Sequence, residues 1–109
     1  MKTYCLILDL KEDSQLIEQY KKYHQHVWPE IIDSIKASGI SDMRIYNVAD
    51  RLVMIIEADD DFSFEKKAEM DQNNAKVQEW EKLMDTYQKR LPFVAPDQRW
   101  VPMEEIFRL

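Results

Sequence analysis

Only one glycine, Gly39, occurs in the 109 residues. A phosphate-cradling loop or a nucleotide-binding fingerprint needs several glycines at fixed spacing, so both are excluded, as is a Gly-x-Ser-x-Gly nucleophile turn. The lone Cys5 has no partner for an internal disulfide and cannot build a cysteine-rich metal site. Basic residues are in the minority, 15 against 21 acidic, for a formal net charge of −6. No basic run exceeds the pairs Lys21-Lys22 and Lys66-Lys67, so the clustered cations that nucleic acid demands are missing. No apolar stretch approaches the ~20 residues that span a bilayer. Asp9 and Lys11 fall where a signal peptide would stay apolar. A cytoplasmic protein without nucleic-acid or membrane partners is the simplest expectation.

What is present is the mixture of a globular protein, 45% hydrophobic and 33% charged, with a length that fits one domain over residues 1–109. Residues 1–10 alternate loosely, with Tyr4, Leu6, Leu8 and Leu10 on one face and Cys5, Ile7 and Asp9 on the other, which predicts a strand. Asp13 and Ser14 offer helix caps. From Ile17 through Tyr20, His24, Val27, Trp28, Ile31 and Ile35, apolar residues recur at spacings of three and four. That is one stripe of a long amphipathic helix, which Pro29 must kink or restart. Gly39 sits where such a helix would end. The segments 43–48 and 52–58 read as a hairpin around Ala49-Asp50-Arg51. Asp59–Asp61 suit the start of a helix over 62–71, and a second helix is expected over 75–91. An irregular, proline-marked excursion over 92–102 leads to an expected terminal strand over 105–109.

This order predicts an α+β fold with helices on one face of an antiparallel sheet. The first and third strands nevertheless carry apolar residues toward both sides. A second copy covering the open face explains this most economically, so a homodimer is expected.

Candidate chemistry concentrates in few places. The two histidines, His24 and His26, would diverge by roughly 200° on a helix and so share no metal. Asp59–Asp61 read either as a cation site or as a solvated turn. Tyr20, His24 and Trp28 stand at i, i+4 and i+8, stacked along one helix face. His24 is then either a core histidine bonded to a carbonyl or to Tyr46, or a titratable imidazole at the bottom of an aromatic-walled cleft, able to pass protons near neutral pH. Such walls suit the apolar face of a sugar ring.

The run Tyr20-Lys-Lys-Tyr-His24-Gln-His-Val-Trp28-Pro29-Glu30 resembles the Tyr-x-x-x-His-x-x-x-Trp-Pro-Glu signature of the L-rhamnose mutarotase family. The resemblance continues through Gly39, Ile45-Tyr46, Leu52, Glu57, Gln78-x-Trp80, Met84 and Glu105-Ile106-Phe107. It implies a ferredoxin-like α+β protomer that dimerises into an α/β barrel, and aldose 1-epimerase activity without metal or organic cofactor. The activity interconverts α and β anomers of a 6-deoxy-L-hexose such as L-rhamnose or L-fucose. His24 matches the family's proton donor, expected to act as acid at the ring oxygen and then as base on reclosure. Tyr20 matches a sugar-contacting tyrosine, and Trp80 matches the first of two adjacent pocket tryptophans. Met43 and Glu81 stand where the rhamnose enzymes carry a second sugar-contacting tyrosine and the second tryptophan. These departures shift the expected substrate toward L-fucose. Glu30 and Glu57 are the carboxylates considered for the second acid/base role. Readings of a different kind remain open: a non-catalytic ligand-binding barrel, or a cofactor-free oxygenase or isomerase acting on aromatic or polyketide substrates.

Overall fold

The computed structural model describes residues 1–109. Strand β1 (Lys2–Leu10) leads into helix α1 (Ser14–Tyr23), then helix α2 (Pro29–Ala37). Strands β2 (Ile40–Val48) and β3 (Arg51–Ala58) follow as a hairpin. Helices α3 (Phe64–Gln72) and α4 (Ala75–Asp85) precede two short strands, β4 (Gln88–Lys89) and β5 (Val101–Pro102). All strand pairings are antiparallel. The sheet runs β2-β3-β1-β4, and β5 shares the outer edge of β1 with β4.

Alternation in β1 and β3 decides which residues form the core. Leu8 faces Leu52, Leu6 faces Met54 and Tyr4 faces Ile56 across the β1–β3 ladder. Leu8, Leu10, Leu52 and Ile56 are at most 2% exposed, which contributes about 1.5–3 kcal/mol each. Two apolar clusters form on this face. One joins Leu10, Tyr20, Ile31, Val77, Trp80 and Met84, and the other joins Leu6, Ile40, Ile56 and Phe62. By the same alternation, the opposite face carries Cys5, Ile7, Val53, Ile55 and the exposed Tyr46 and Val48. Within one chain nothing covers it; the sheet is open rather than closed into a barrel.

Several expected elements change form. The long helix does not run through Pro29 but splits in two. Pro29 has no N–H for the carbonyl of Gln25, and it holds Trp28 extended at φ −57°, ψ 136°. It then serves as the first residue of α2. Gly39 does end that helix, in the left-handed region at φ +99°. The hairpin turn is two residues, Ala49-Asp50, and Arg51 already belongs to β3. Helix α3 is capped by Ser63, whose hydroxyl accepts from the backbone of Lys66, not by the aspartates upstream. Asn73 ends α3 and Asn74 caps α4, so the break expected over 72–74 narrows to two residues, Gln72 still being helical. The last helix stops at Asp85 instead of reaching residue 91, because Gln88 and Lys89 pair with Leu10 and Asp9 of β1. The terminal strand is also displaced. Val101–Pro102 pairs with Ile7 and Leu6, and the Met103 amide donates to the Cys5 carbonyl at 2.7 Å. Residues 104–109 join no strand, Arg108 pairing only with Glu105 of the same segment, and Ile106, Phe107 and Leu109 are exposed.

Candidate active site

A cavity of about 490 Å³ opens between the helix-covered face of the sheet and helices α1, α2, α3 and α4, and residues 97–102 form a further wall. The volume lies within the roughly 300–1,000 Å³ of small-molecule sites. Met43, Ile45, Met54 and Ile56 give it an apolar floor, and Trp80 and Trp100 add aromatic surface.

Five of the six residues singled out in the sequence line this cavity: Tyr20, His24, Met43, Trp80 and Glu81. Trp28 does not. Because α1 ends at Tyr23, His24 is the residue capping its C-terminus, while Trp28 stands before α2, off the expected common face. Trp28 instead packs edge-on behind Trp80, with ring centroids 5.0 Å apart. The Lys76 ammonium lies 5.5 Å over its ring. Trp28 thus supports the wall rather than forming it.

Tyr20 and His24 keep their one-turn relation, with ring centroids 4.4 Å apart. The His24 Nδ1 lies 2.8 Å from the Tyr20 carbonyl. A carbonyl only accepts, so Nδ1 carries the hydrogen and Nε2 is left without a partner in the chain. The imidazole is half-buried against the edge of Trp80 at 5.8 Å. Burial lowers its pKa from 6.5, only partly opposed by the bond to the Tyr20 carbonyl. His24 is therefore anchored to a carbonyl and at the same time lines the cavity. Tyr46 plays no part, since it lies exposed on the other side of the sheet.

Sequence patterns missed Gln88, Arg99, Lys67 and Asp71, which form a polar band with Glu81 along the cavity. Gln88 Nε2 donates to the Tyr20 hydroxyl at 3.3 Å, and Arg99 Nη1 donates to Gln88 Oε1 at 3.0 Å. Arg99 Nη2 meets Glu81 Oε1 at 3.4 Å. Gln78 Nε2 bridges the Asp71 carbonyl at 2.8 Å and Glu81 Oε2 at 3.4 Å. Lys67 and Asp71, paired at 2.7 Å, close the band on α3. The i, i+4 spacing of Lys67 and Asp71 was a usable signal. Gln88 was hidden by the overlong last helix, and Arg99 by the irregular excursion. Glu30 is exposed on the first turn of α2, and Glu57 pairs with Thr3 on the open face; neither lines the cavity. Asp59–Asp61 form an exposed turn in which Asp60 meets the N-terminal ammonium. No three His, Cys, Asp or Glu side chains converge as metal ligands would.

The chain is thus a small α+β protein that gathers an imidazole, a phenol and indole walls around one open cavity. The L-rhamnose mutarotase family model matches residues 3–109. The chain is 39% identical over 111 residues to an L-fucose mutarotase of Xanthomonas campestris pv. campestris, covering 100% of this chain and 89% of that protein. An L-rhamnose mutarotase of Listeria monocytogenes serovar 1/2a is 32% identical over 94 residues, covering 84% and 85%. Among solved structures, an L-rhamnose mutarotase from Formosa agariphila superposes with a TM-score of 0.73 at 22% identity, covering 100% of this chain and 99% of that one. Tetracenomycin F2 cyclase from Streptomyces glaucescens shares the fold at a TM-score of 0.66 and 18% identity, with 100% and 97% covered. The chain belongs to the L-rhamnose mutarotase family, and its activity class is that of an isomerase, a sugar mutarotase.

Proposed function

We propose that the cavity interconverts the α and β anomers of a 6-deoxy-L-hexose, with L-fucose preferred over L-rhamnose, and that His24 carries the proton. The observation behind this reading is the His24 imidazole itself, held through Nδ1 on the Tyr20 carbonyl with Nε2 unengaged beside an indole-walled cavity. Mutarotation needs a proton taken from the anomeric hydroxyl and one given to the ring oxygen. The bond from C1 to the ring oxygen then breaks, the aldehyde rotates, and reclosure gives the other anomer. Burial favours the neutral ring, so His24 starts as acceptor at Nε2 and becomes the donor on reclosure. It remains a proton donor of the cycle, in the reverse of the order expected from the motif alone.

Substrate preference rests on the floor and the polar band. Met43, which replaces a family tyrosine, offers a flexible apolar side chain and no phenolic donor. Glu81, which replaces a tryptophan, is held by Arg99 and Gln78 and keeps a carboxylate at the wall. L-fucose and L-rhamnose differ in which ring hydroxyls are axial. A hydroxyl left without its partner costs about 1–3 kcal/mol, a factor of roughly ten to a hundred in preference. That the Xanthomonas relative, the more similar of the two compared, is an L-fucose mutarotase supports the same choice. Saturation-transfer NMR on both sugars tests this. Faster catalysed exchange of L-fucose is expected, with Met43→Tyr plus Glu81→Trp shifting preference toward L-rhamnose. A wild-type preference for L-rhamnose would defeat the substrate assignment.

The homodimer belongs to this proposal. The open face presents Ile7, Val53, Ile55, Tyr46 and Val48, with Tyr46 54% and Val48 71% exposed. A second copy of the same face is the occupant that buries them symmetrically and turns two open sheets into a barrel.

A further inference from the structure

The loosest polar contacts of the cavity wall are those of its charged pair. Glu81 Oε1 lies 3.4 Å from Arg99 Nη2, and Glu81 Oε2 lies 3.4 Å from Gln78 Nε2. A carboxylate fully engaged by a cation holds it at about 2.7–2.9 Å. The Arg99 guanidinium carries several N–H donors, and its firm bond on this wall is the one to Gln88 Oε1 at 3.0 Å. An acceptor and a donor with hydrogen-bonding capacity left over thus stand side by side on the wall. Two neighbouring hydroxyls suit such a pair, one donating to the carboxylate and the other accepting from the guanidinium. The charge balance points to a neutral sugar. The lining cations Lys67 and Arg99 are each paired, with Asp71 and Glu81, and Asp97 adds another carboxylate. A sugar acid or sugar phosphate would meet no unpaired positive charge.

The place of the pair along the wall selects the hydroxyls. His24 is anchored to the Tyr20 carbonyl, the Tyr20 hydroxyl meets Gln88, and Gln88 meets Arg99. A phenol ring and an amide therefore separate the imidazole from Arg99. With C1 of a pyranose at His24, the far side of the ring, C3 and C4, lies toward Arg99 and Glu81. We propose that Arg99, acting with Glu81, determines specificity by binding the C3 hydroxyl and an axial C4 hydroxyl, so that the site takes 6-deoxy-L-hexoses with the galacto arrangement at C4. L-fucose carries its axial ring hydroxyl at C4, and L-rhamnose carries it at C2. An axial C4 hydroxyl also leaves the C–H groups of C3, C4 and C5 on one ring face, an apolar surface for the indole of Trp100 beside Arg99. This inference rests on the mutarotase reading of the same cavity.

The test uses 6-deoxy-L-glucose, which differs from L-fucose only at C4. Saturation-transfer NMR on the wild-type protein should give exchange of L-fucose roughly 10- to 100-fold faster than that of 6-deoxy-L-glucose. Arg99→Met should bring L-fucose down toward the level of its C4 epimer, and Glu81→Gln should narrow the gap as well. The ratio between the two sugars is the readout, because damage to the fold lowers both alike. The wild-type comparison reports even if Arg99→Met unfolds. Equal wild-type rates for the two epimers, or a gap that folded Arg99→Met preserves, would overturn the assignment and leave the mutarotase reading intact. A wild-type protein that accelerates exchange of neither sugar nor of L-rhamnose would instead overturn that reading, and the inference with it.

Discussion

The His24 side chain both packs against Trp80 and lines the cavity. Its Nδ1 anchors the end of α1 by bonding the Tyr20 carbonyl, and the same bond fixes which nitrogen is free. Burial holds the ring neutral at neutral pH by lowering its pKa from 6.5. The sign of the pH dependence follows. The free enzyme's kcat/KM should be flat from about pH 7 to pH 9 and fall on acidification, with an apparent pKa below that ordinary value. Initial exchange rates at subsaturating L-fucose measure it. A rate that climbs as the pH drops toward 5 would mean that imidazolium, not imidazole, starts the reaction. His26→Ala should leave the profile unchanged, since His26 is exposed in the turn after α1.

At the scale of elements, alternation and helical spacing made most of the fold legible. The faces of β1 and β3 follow directly from Leu6, Leu8 and Leu10 and from Leu52 and Ile56. The hairpin, both central helices and the Gly39 stop were visible for the same reason. Where periodicity continues across a break, however, it misleads. Val27, Trp28 and Ile31 keep helical spacing although Pro29 restarts the helix, so Trp28 moves behind Trp80 rather than beside His24. Tyr87 and Leu91 are buried as a helical stripe would require, yet they flank β4. Short strands such as β4 and β5 owe their existence to the edge of β1, a partner far away in sequence. No local pattern encodes that, and the two residues it brings to the cavity, Gln88 and Arg99, were hidden with it. The site residues carried by the motif on α1 were legible because Tyr20 and His24 are one turn apart. Those contributed by tertiary pairing were not.

For the whole molecule, the helices cover one face of the sheet and leave the other open, the face proposed above to meet a second copy. Arg51 and Asp9 make a two-pronged ion pair on that open face, at 2.8 and 3.1 Å, which sets a polar margin beside the apolar centre. Light scattering at micromolar concentration should therefore give twice the 13.1 kDa chain mass. Val48→Asp, placing a charge on the exposed end of the patch, should shift the protein toward monomer. A wild-type monomer would mean that the face stays open in solution and that no barrel forms.

The central claim is that this cavity moves protons for a sugar through His24. Saturation-transfer NMR of L-fucose with purified wild-type protein and with folded His24→Ala measures that. Wild type should accelerate anomer exchange, and the variant should lose roughly 10²–10⁴ of that acceleration, the scale of one general acid or base. Equal rates for the two proteins would contradict the central claim and return His24 to a purely structural place at the end of α1.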